Sequence, residues 1–322
     1  MRPHLLSLIL AALLLGAFVP VAIAQEAAAA KPSEEEKTEL YTKYYEGAKG
    51  NAEQQKVAYE VAKEYLKKFG SQEDQYVIAV RKWVAKYEAA TAEVTRFAAF
   101  NQAVAAMDHP KTFAAGRQIL EKEPENFKVL LLMVNAGVLN TRAGNKSLDT
   151  ETVALTRKTL QLVDSNKVTD PGTMPSMDDV RGFLNFTLAS LLQATEPAEA
   201  IAAVMKAVKD GGAYKTDPNS YNLLGVTIYN KEYQPLAEEY SAKYAGKPET
   251  PESKAMLDKA NAVANRAIDA MARAVALATK PEHKALKAEW LATLTDIYKD
   301  FHNNTDAGLS ELIATVLSKP MP

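Results

Sequence analysis

The chain contains no cysteine, which excludes disulfide bonds and catalysis by a cysteine nucleophile. Apart from the histidine at position 4, its histidines are His109, His283 and His302, which lie far apart in the sequence. Zinc sites need clustered histidine, cysteine or carboxylate ligands, and no such spacing occurs. No serine stands in a Gly-x-Ser-x-Gly motif. We therefore predict no catalytic residue, no metal site and no cofactor.

Signals for β-structure are also scarce. No run of alternating apolar and polar β-branched residues is present, and 14 glycines in 322 residues are too few for a turn-rich sheet protein. Apolar residues recur instead at spacings of three and four, as over 52–69, 92–107 and 253–279. This periodicity predicts an all-α fold, with Val57, Val94 and Met107 on buried helix faces.

Neither sign of charge is in excess. The sequence has 38 basic and 40 acidic residues, a net charge of −2. Nucleic-acid-binding proteins and proteins that dock on anionic membranes usually carry a basic patch. The composition therefore predicts neither a nucleic-acid partner nor an anionic membrane surface.

The N-terminus has the order of a secretory signal peptide. Arg2 precedes a largely apolar run, and Ala22-Ile23-Ala24 follows as a small-x-small cleavage site. The apolar run is too short to span a bilayer, although an uncleaved anchor is the competing interpretation. We predict a signal peptide over 1–24, cleavage after Ala24, and a periplasmic or secreted protein without stable membrane insertion. The alanine-rich segment 25–33 is predicted to be a flexible lead-in.

The segment 219–248 has the spacing of two short helices separated by a break at 230–232. Gly225 in the first helix and Ala237 in the second are small enough to let the helices cross closely. The segment resembles a tetratricopeptide repeat, a helix-turn-helix unit of about 34 residues. The residues that carry the resemblance are Tyr221, Leu224, Gly225, Ala237 and a terminal Pro248. A second turn typical of the family is Glu123-Pro124-Glu125-Asn126.

The resemblance implies a superhelix, or solenoid, of antiparallel helix pairs. The longest interruption of the pattern would divide the array, and the last helices would cover its end. The expected segments are N-terminal repeats over 34–165, a loop over 166–179, tetratricopeptide-like repeats over 180–249 and capping helices over 250–322.

In tetratricopeptide arrays the inner helices line a concave groove, so the resemblance implies a scaffold or adaptor that binds a protein or peptide. Asn135 and Asn222 fall on the expected inner helices, where they would hydrogen-bond a bound backbone. Two alternatives remain open. One is a structural envelope protein that self-associates, and the other is an enzyme built on a helical toroid with a carboxylate-lined cleft.

Overall fold

The computed structural model describes residues 33–321, so the predicted signal peptide and nearly all of the lead-in lie outside the described residues. The described part is 80% helix and contains no strand. The prediction of an all-α fold is confirmed. The chain forms two compact units, which divide between Thr91 and Ala92.

The first unit contains α1 (Glu34–Ala48), α2 (Ala52–Phe69) and the first part of α3 (Gln75–Ala105). Ser33 and Asn51 cap α1 and α2 by accepting backbone N–H groups of the first turn. Aromatic rings fill much of the core, in which Tyr44, Tyr65 and Phe69 are buried.

The segment 92–107 is helical to Ala105, as predicted, but it is the last part of a longer helix, because α3 runs without a break from Gln75 to Ala105. The sequence around Ala89-Ala90-Thr91-Ala92 has no glycine or proline, and alanine is the strongest helix former, so nothing there ends the helix.

Three residues predicted to be buried are exposed: Val57, Val94 and Met107. Val57 directly precedes the buried Ala58 on α2, and Val94 lies in a stretch of α3, 88–95, in which every residue is exposed. Met107 follows the end of α3 with a positive φ of 52°, so helical spacing no longer applies to it. Periodicity located the helices but not the width of their buried faces.

The second unit contains the end of α3 and ten further helices. These are α4 (His109–Leu120), α5 (Phe127–Arg142), α6 (Asp149–Asp164), α7 (Met177–Leu192), α8 (Pro197–Asp210), α9 (Pro218–Ile228), α10 (Gln234–Tyr244), α11 (Pro251–Leu277), α12 (Lys284–Phe301) and α13 (Leu309–Thr315). Each helix from α4 to α8 packs against the next one along the chain, and α9 and α12 both pack against α11. The predicted turn at Pro124 joins α4 to α5, where Asn126 caps α5. The loop predicted at 166–179 joins α6 to α7 within this unit.

The break predicted at 230–232 is absent. A π-helical turn, Tyr229–Tyr233, joins α9 to α10, and the chain stays helical from Pro218 to Tyr244. Pro235 lacks an N–H group, and its ring would clash with the carbonyl four residues earlier in a regular α-helix. The helix widens just before it, where the Gln234 N–H donates to the Tyr229 carbonyl.

The predicted crossing of Gly225 with Ala237 is wrong as well. A Cβ atom on Gly225 would lie 2.6 Å from Met271 Cγ and 2.9 Å from the Ala267 carbonyl oxygen, so Gly225 packs against α11. Ala237 is half-buried on α10, a helix without a buried residue. Since α9 and α10 continue one another, they cannot fold back to cross. Tyr221 and Leu224 are buried on α9, as core positions should be.

Candidate functional site

A cavity of about 900 Å³ lies within the second unit, where α5 and α11 end and α9 begins. Arg142, at the end of α5, and Phe186, on α7, form part of its wall. Tyr214 lies on the short turn before α9, with its ring 5.6 Å from that of Phe186. Lys280 and His283 follow α11 and also line the cavity.

Two further cavities continue the first along α5 and α7. One, of about 230 Å³, shares Arg142, Phe186 and Tyr214 with it. The next, of about 320 Å³, shares Ser190 and Leu191 with the second and reaches α9. We call this continuous depression the α5–α7 groove.

Helical spacing explains why these side chains share a face. Val138 and Arg142 on α5 are four residues apart, and Phe183, Phe186 and Ser190 on α7 are three and four apart. Residues three and four apart lie on one side of a helix. The groove walls are therefore one face of α5 and one face of α7, held in place by the rest of each helix in the core.

The 900 Å³ cavity at one end of the groove is positively charged. Arg142 and Lys280 form no ion pair with any described residue, and the buried Nδ1 of His283 has no hydrogen-bond partner there. The nearby carboxylate of Asp217 is engaged in capping α9, where it accepts the N–H groups of Asn219 and Ser220. Two permanent cations against one engaged carboxylate favour an anionic group in this cavity.

Hydroxyl groups line the groove from its charged end to the cavity beside the end of α9. Burial raises the pKa of Tyr214, so its hydroxyl stays protonated at neutral pH and can donate a hydrogen bond. Thr227 Oγ1 donates to the Leu223 carbonyl at 2.7 Å, the usual bond of a helical threonine. Thr141 Oγ1 donates to Asp149 Oδ1 at 2.5 Å and lies 3.0 Å from the Gly137 carbonyl oxygen.

Thr187 differs from those threonines. Its side chain is 2% exposed and lines the groove, yet its hydroxyl bonds to no described residue. A buried hydroxyl without a partner costs free energy, so it requires an explanation. Its oxygen has no accessible surface, so the hydroxyl lies beneath the groove wall and out of reach of a molecule in the groove. Thr187 stands among apolar residues of α7, and that contrast is the sequence signal that identifies it.

The structure places both asparagines that the sequence singled out beside the groove but not in its lining. Asn135 is exposed on α5, three residues before Val138 and seven before Arg142, and so on the same side of that helix. Asn222 is half-buried on α9, four residues before Val226, which lines the far cavity. A hydrogen bond from either residue to a bound chain stays a prediction.

The groove contains two carboxylates, Asp149 and Asp217, which line different cavities. Asp149 accepts the Thr141 hydroxyl at 2.5 Å, so each carboxylate already has a partner within the fold. Over residues 33–321, no group of three or more histidine, cysteine or carboxylate side chains is placed to hold a metal ion. The groove thus offers positive charge, hydroxyls and apolar walls rather than a pair of free acids.

No protein-family model, curated protein or solved structure matches the chain. The likeness to tetratricopeptide repeats therefore depends on the sequence pattern alone. Among the described helices, none is both long and apolar enough to cross a membrane.

Proposed function

We propose that the protein is a non-catalytic helical scaffold that binds an extended segment of another protein in the α5–α7 groove. One observation carries the proposal: a continuous depression whose end cations, Arg142 and Lys280, form no ion pair with a described residue. Export to the periplasm or out of the cell, expected from residues 1–24, is part of the proposal.

Packing of consecutive helices supports a repeat-like scaffold. From α4 to α8 each helix packs on its successor, as in solenoids, where each unit buries the apolar face of its neighbour. We propose that these helices form antiparallel pairs stacked as a superhelix. A groove carried by such a scaffold is rigid before binding, so little free energy is lost in ordering it.

The lining predicts what kind of segment binds. Val138, Phe183 and Leu191 provide apolar walls for apolar side chains. The cations at the end of the groove can take a carboxylate. The expected ligand is a peptide with apolar residues followed by an acidic residue or a C-terminal carboxylate.

A peptide array tests this directly. Each apolar peptide would be presented with a free C-terminal carboxylate and, as its pair, with a C-terminal amide. We expect the carboxylate member to bind the protein about tenfold more tightly, the equivalent of one charge-assisted hydrogen bond. Arg142→Gln should abolish that difference.

Lys209→Gln is the matched control, because Lys209 is an exposed cation on α8 outside the groove lining. Asn135→Ala and Asn222→Ala should weaken binding less than Arg142→Gln, since both residues lie beside the lining. Retention of no peptide, together with self-association that increases with concentration, would contradict the proposal and favour a structural role.

A further inference from the structure

The far cavity of the α5–α7 groove, of about 320 Å³, also contains cations. Lys146, which follows α5, and Lys231, in the π-helical turn after α9, both line it. Both residues are exposed, so a molecule lying in the groove can reach them. Positive charge is therefore present at both ends of the groove and not only in the 900 Å³ cavity.

The carboxylates nearest to these lysines are engaged by other groups. Asp149 lines the same cavity and accepts the Thr141 hydroxyl at 2.5 Å. Glu232 follows Lys231 directly in the sequence but pairs with Arg266, at 3.0 Å. Neither lysine of the far cavity forms an ion pair with a described residue. Two cations against one engaged carboxylate favour an anionic group in this cavity as well.

The lining between the two ends is largely apolar. Val138, Phe183 and Leu191 form walls of the intermediate cavity, of about 230 Å³. A polyanion that is charged along its whole length, such as a nucleic acid, would place phosphates against these apolar side chains. A peptide can instead place apolar side chains there and carboxylates at the two ends. The order of charged and apolar lining therefore favours a peptide.

The helix α9 gives the distance between the two ends. Asn219, near its start, lines the 900 Å³ cavity, and Lys231, just past its end, lines the far cavity. At a rise of about 1.5 Å per residue, the helix advances about 18 Å between these residues. An extended peptide covers about 3.3 Å per residue, so about five of its residues span that distance.

Resting on the peptide-binding function proposed above, we infer that the bound segment carries two acidic groups at a fixed spacing. Arg142 and Lys280 bind a carboxylate at one end, and Lys146 and Lys231 bind an aspartate or glutamate side chain about five residues earlier in the peptide. The spacing selects among acidic peptides, because only an acid at that separation reaches both pairs of cations at once.

A peptide series with one acidic residue at successive positions tests the inference on the full chain. Each peptide has an acetylated N-terminus, apolar residues and a free C-terminal carboxylate. A single glutamate, or glutamine in its matched pair, is placed at one position after another. We expect glutamate to tighten binding about fivefold over glutamine about five residues before the C-terminus, and to have little effect next to it.

Variants of the chain separate the two ends. The double variant Lys146→Gln/Lys231→Gln should lose the gain from glutamate but keep the preference for a C-terminal carboxylate over an amide. Arg142→Gln should lose that preference and keep the gain. Lys209→Gln, the exposed cation on α8 outside the lining, is the matched control and should change neither.

The possible failures differ from one another. Carboxylate peptides that bind without a gain from glutamate at any position would overturn the second acidic group and leave the peptide-binding function intact. An equal gain at every position that survives in the double lysine variant would also overturn it, because net charge and not a site would be the cause. Failure of every peptide to bind would contradict the proposed function and the inference with it.

Discussion

The two units of the chain fill their cores with different side chains. In the first unit rings pack on rings, with Tyr44 5.2 Å from Trp83 and Tyr65 5.4 Å from Phe69, measured between centroids. In the second unit the central helix α11 is buried largely through alanine. Its buried alanines are Ala260, Ala264, Ala267, Ala270, Ala272 and Ala274.

The difference shows what each kind of core allows. Large rings bury much area but bring polar tips that need partners, and in Tyr65 that need is unmet. Alanine lets helices approach closely but leaves no room for an added atom, as at the contact of Gly225 with α11. The chain has two tryptophans, Trp83 in the first unit and Trp290 in the second. In the Trp290→Phe protein the fluorescence of Trp83 therefore follows the first unit, and in the Trp83→Phe protein that of Trp290 follows the second.

The largest effect is expected in the alanine-rich unit, at its buried ion pair. Arg273 is 5% exposed, its Nε donates to Asp269 at 2.6 Å, and its Nη2 donates to the Lys319 and Pro320 carbonyls at 2.9 and 3.0 Å. Arg273→Met removes these bonds and leaves a largely buried carboxylate unpaired. Urea unfolding followed by Trp290 should show a loss of about 3 kcal/mol.

Arg266→Met is the control for that prediction. Arg266 pairs with Glu232 at 3.0 Å, but both side chains are partly exposed, so the loss should stay below about 1 kcal/mol. If the two arginine variants unfold alike, the buried network does not stabilise the second unit.

The next effect tests close packing. Gly225→Ala places a Cβ atom 2.6 Å from Met271 Cγ and 2.9 Å from a backbone oxygen, so the unit must shift, at a cost of about 2 kcal/mol measured through Trp290. Gly70→Ala in the aromatic unit places its Cβ no closer than 4.0 Å to another atom and should change stability by less than about 1 kcal/mol, measured through Trp83. Similar losses in both proteins would mean that the two cores are packed equally tightly.

Gly225 also shows how far the sequence could lead. Its spacing from Tyr221 and Leu224 correctly predicted a buried helix face, because helical period is a local property. The predicted packing partner of Gly225 was wrong, because a small residue that could allow a close helix contact occurs both at Ala237 nearby and at Ala267, about forty residues further along the chain. The break at 230–232 was predicted from polar residues, and the backbone instead absorbed Pro235 by widening the helix.

The candidate sites were harder to predict than the helices. Thr187 and Tyr65 each have a buried hydroxyl without a hydrogen-bond partner among the described residues. A sequence does not show which hydroxyls find a partner. Asn135 and Asn222 were chosen for their helices and lie on the sides of α5 and α9 that the groove uses, but one turn away from its lining. Periodicity selects a face of a helix, whereas the lining depends on which neighbouring helices meet there.

A smaller effect is expected when one tyrosine hydroxyl is removed from each unit. The change in the free energy of unfolding should have opposite signs in the two units. Tyr221→Phe in the second unit loses the bond from its hydroxyl to the Lys215 carbonyl, 3.0 Å long, and should destabilise it by about 1 kcal/mol. Tyr65→Phe removes an unpaired buried hydroxyl and should leave the first unit equally stable or up to about 1 kcal/mol more stable. A loss of stability in Tyr65→Phe would show that the hydroxyl has a partner within the protein.

The smallest expected effect is a loss of stability of the first unit that occurs only at acidic pH. The hydrogen bond from Lys37, followed by the Val77 N–H, holds the pKa of Asp74 below its ordinary 3.8, and the carboxylate accepts the first N–H groups of α3. Since the folded pKa lies below the unfolded one, the stability from this carboxylate is complete above about pH 4 and is lost as the pH falls through the folded pKa. Asp74→Asn keeps an amide oxygen for the helix cap but gives up the ion pair, so the first unit should be slightly less stable at neutral pH. Its Trp83-detected urea midpoint should therefore fall less between about pH 6 and about pH 3 than that of the wild type.

Asp258→Asn is the control, an exposed change on α11 in the second unit that should leave the acid response of Trp83 unaltered. If the Asp74 variant responds to acid as the wild type does, other carboxylates set the acid stability of the first unit.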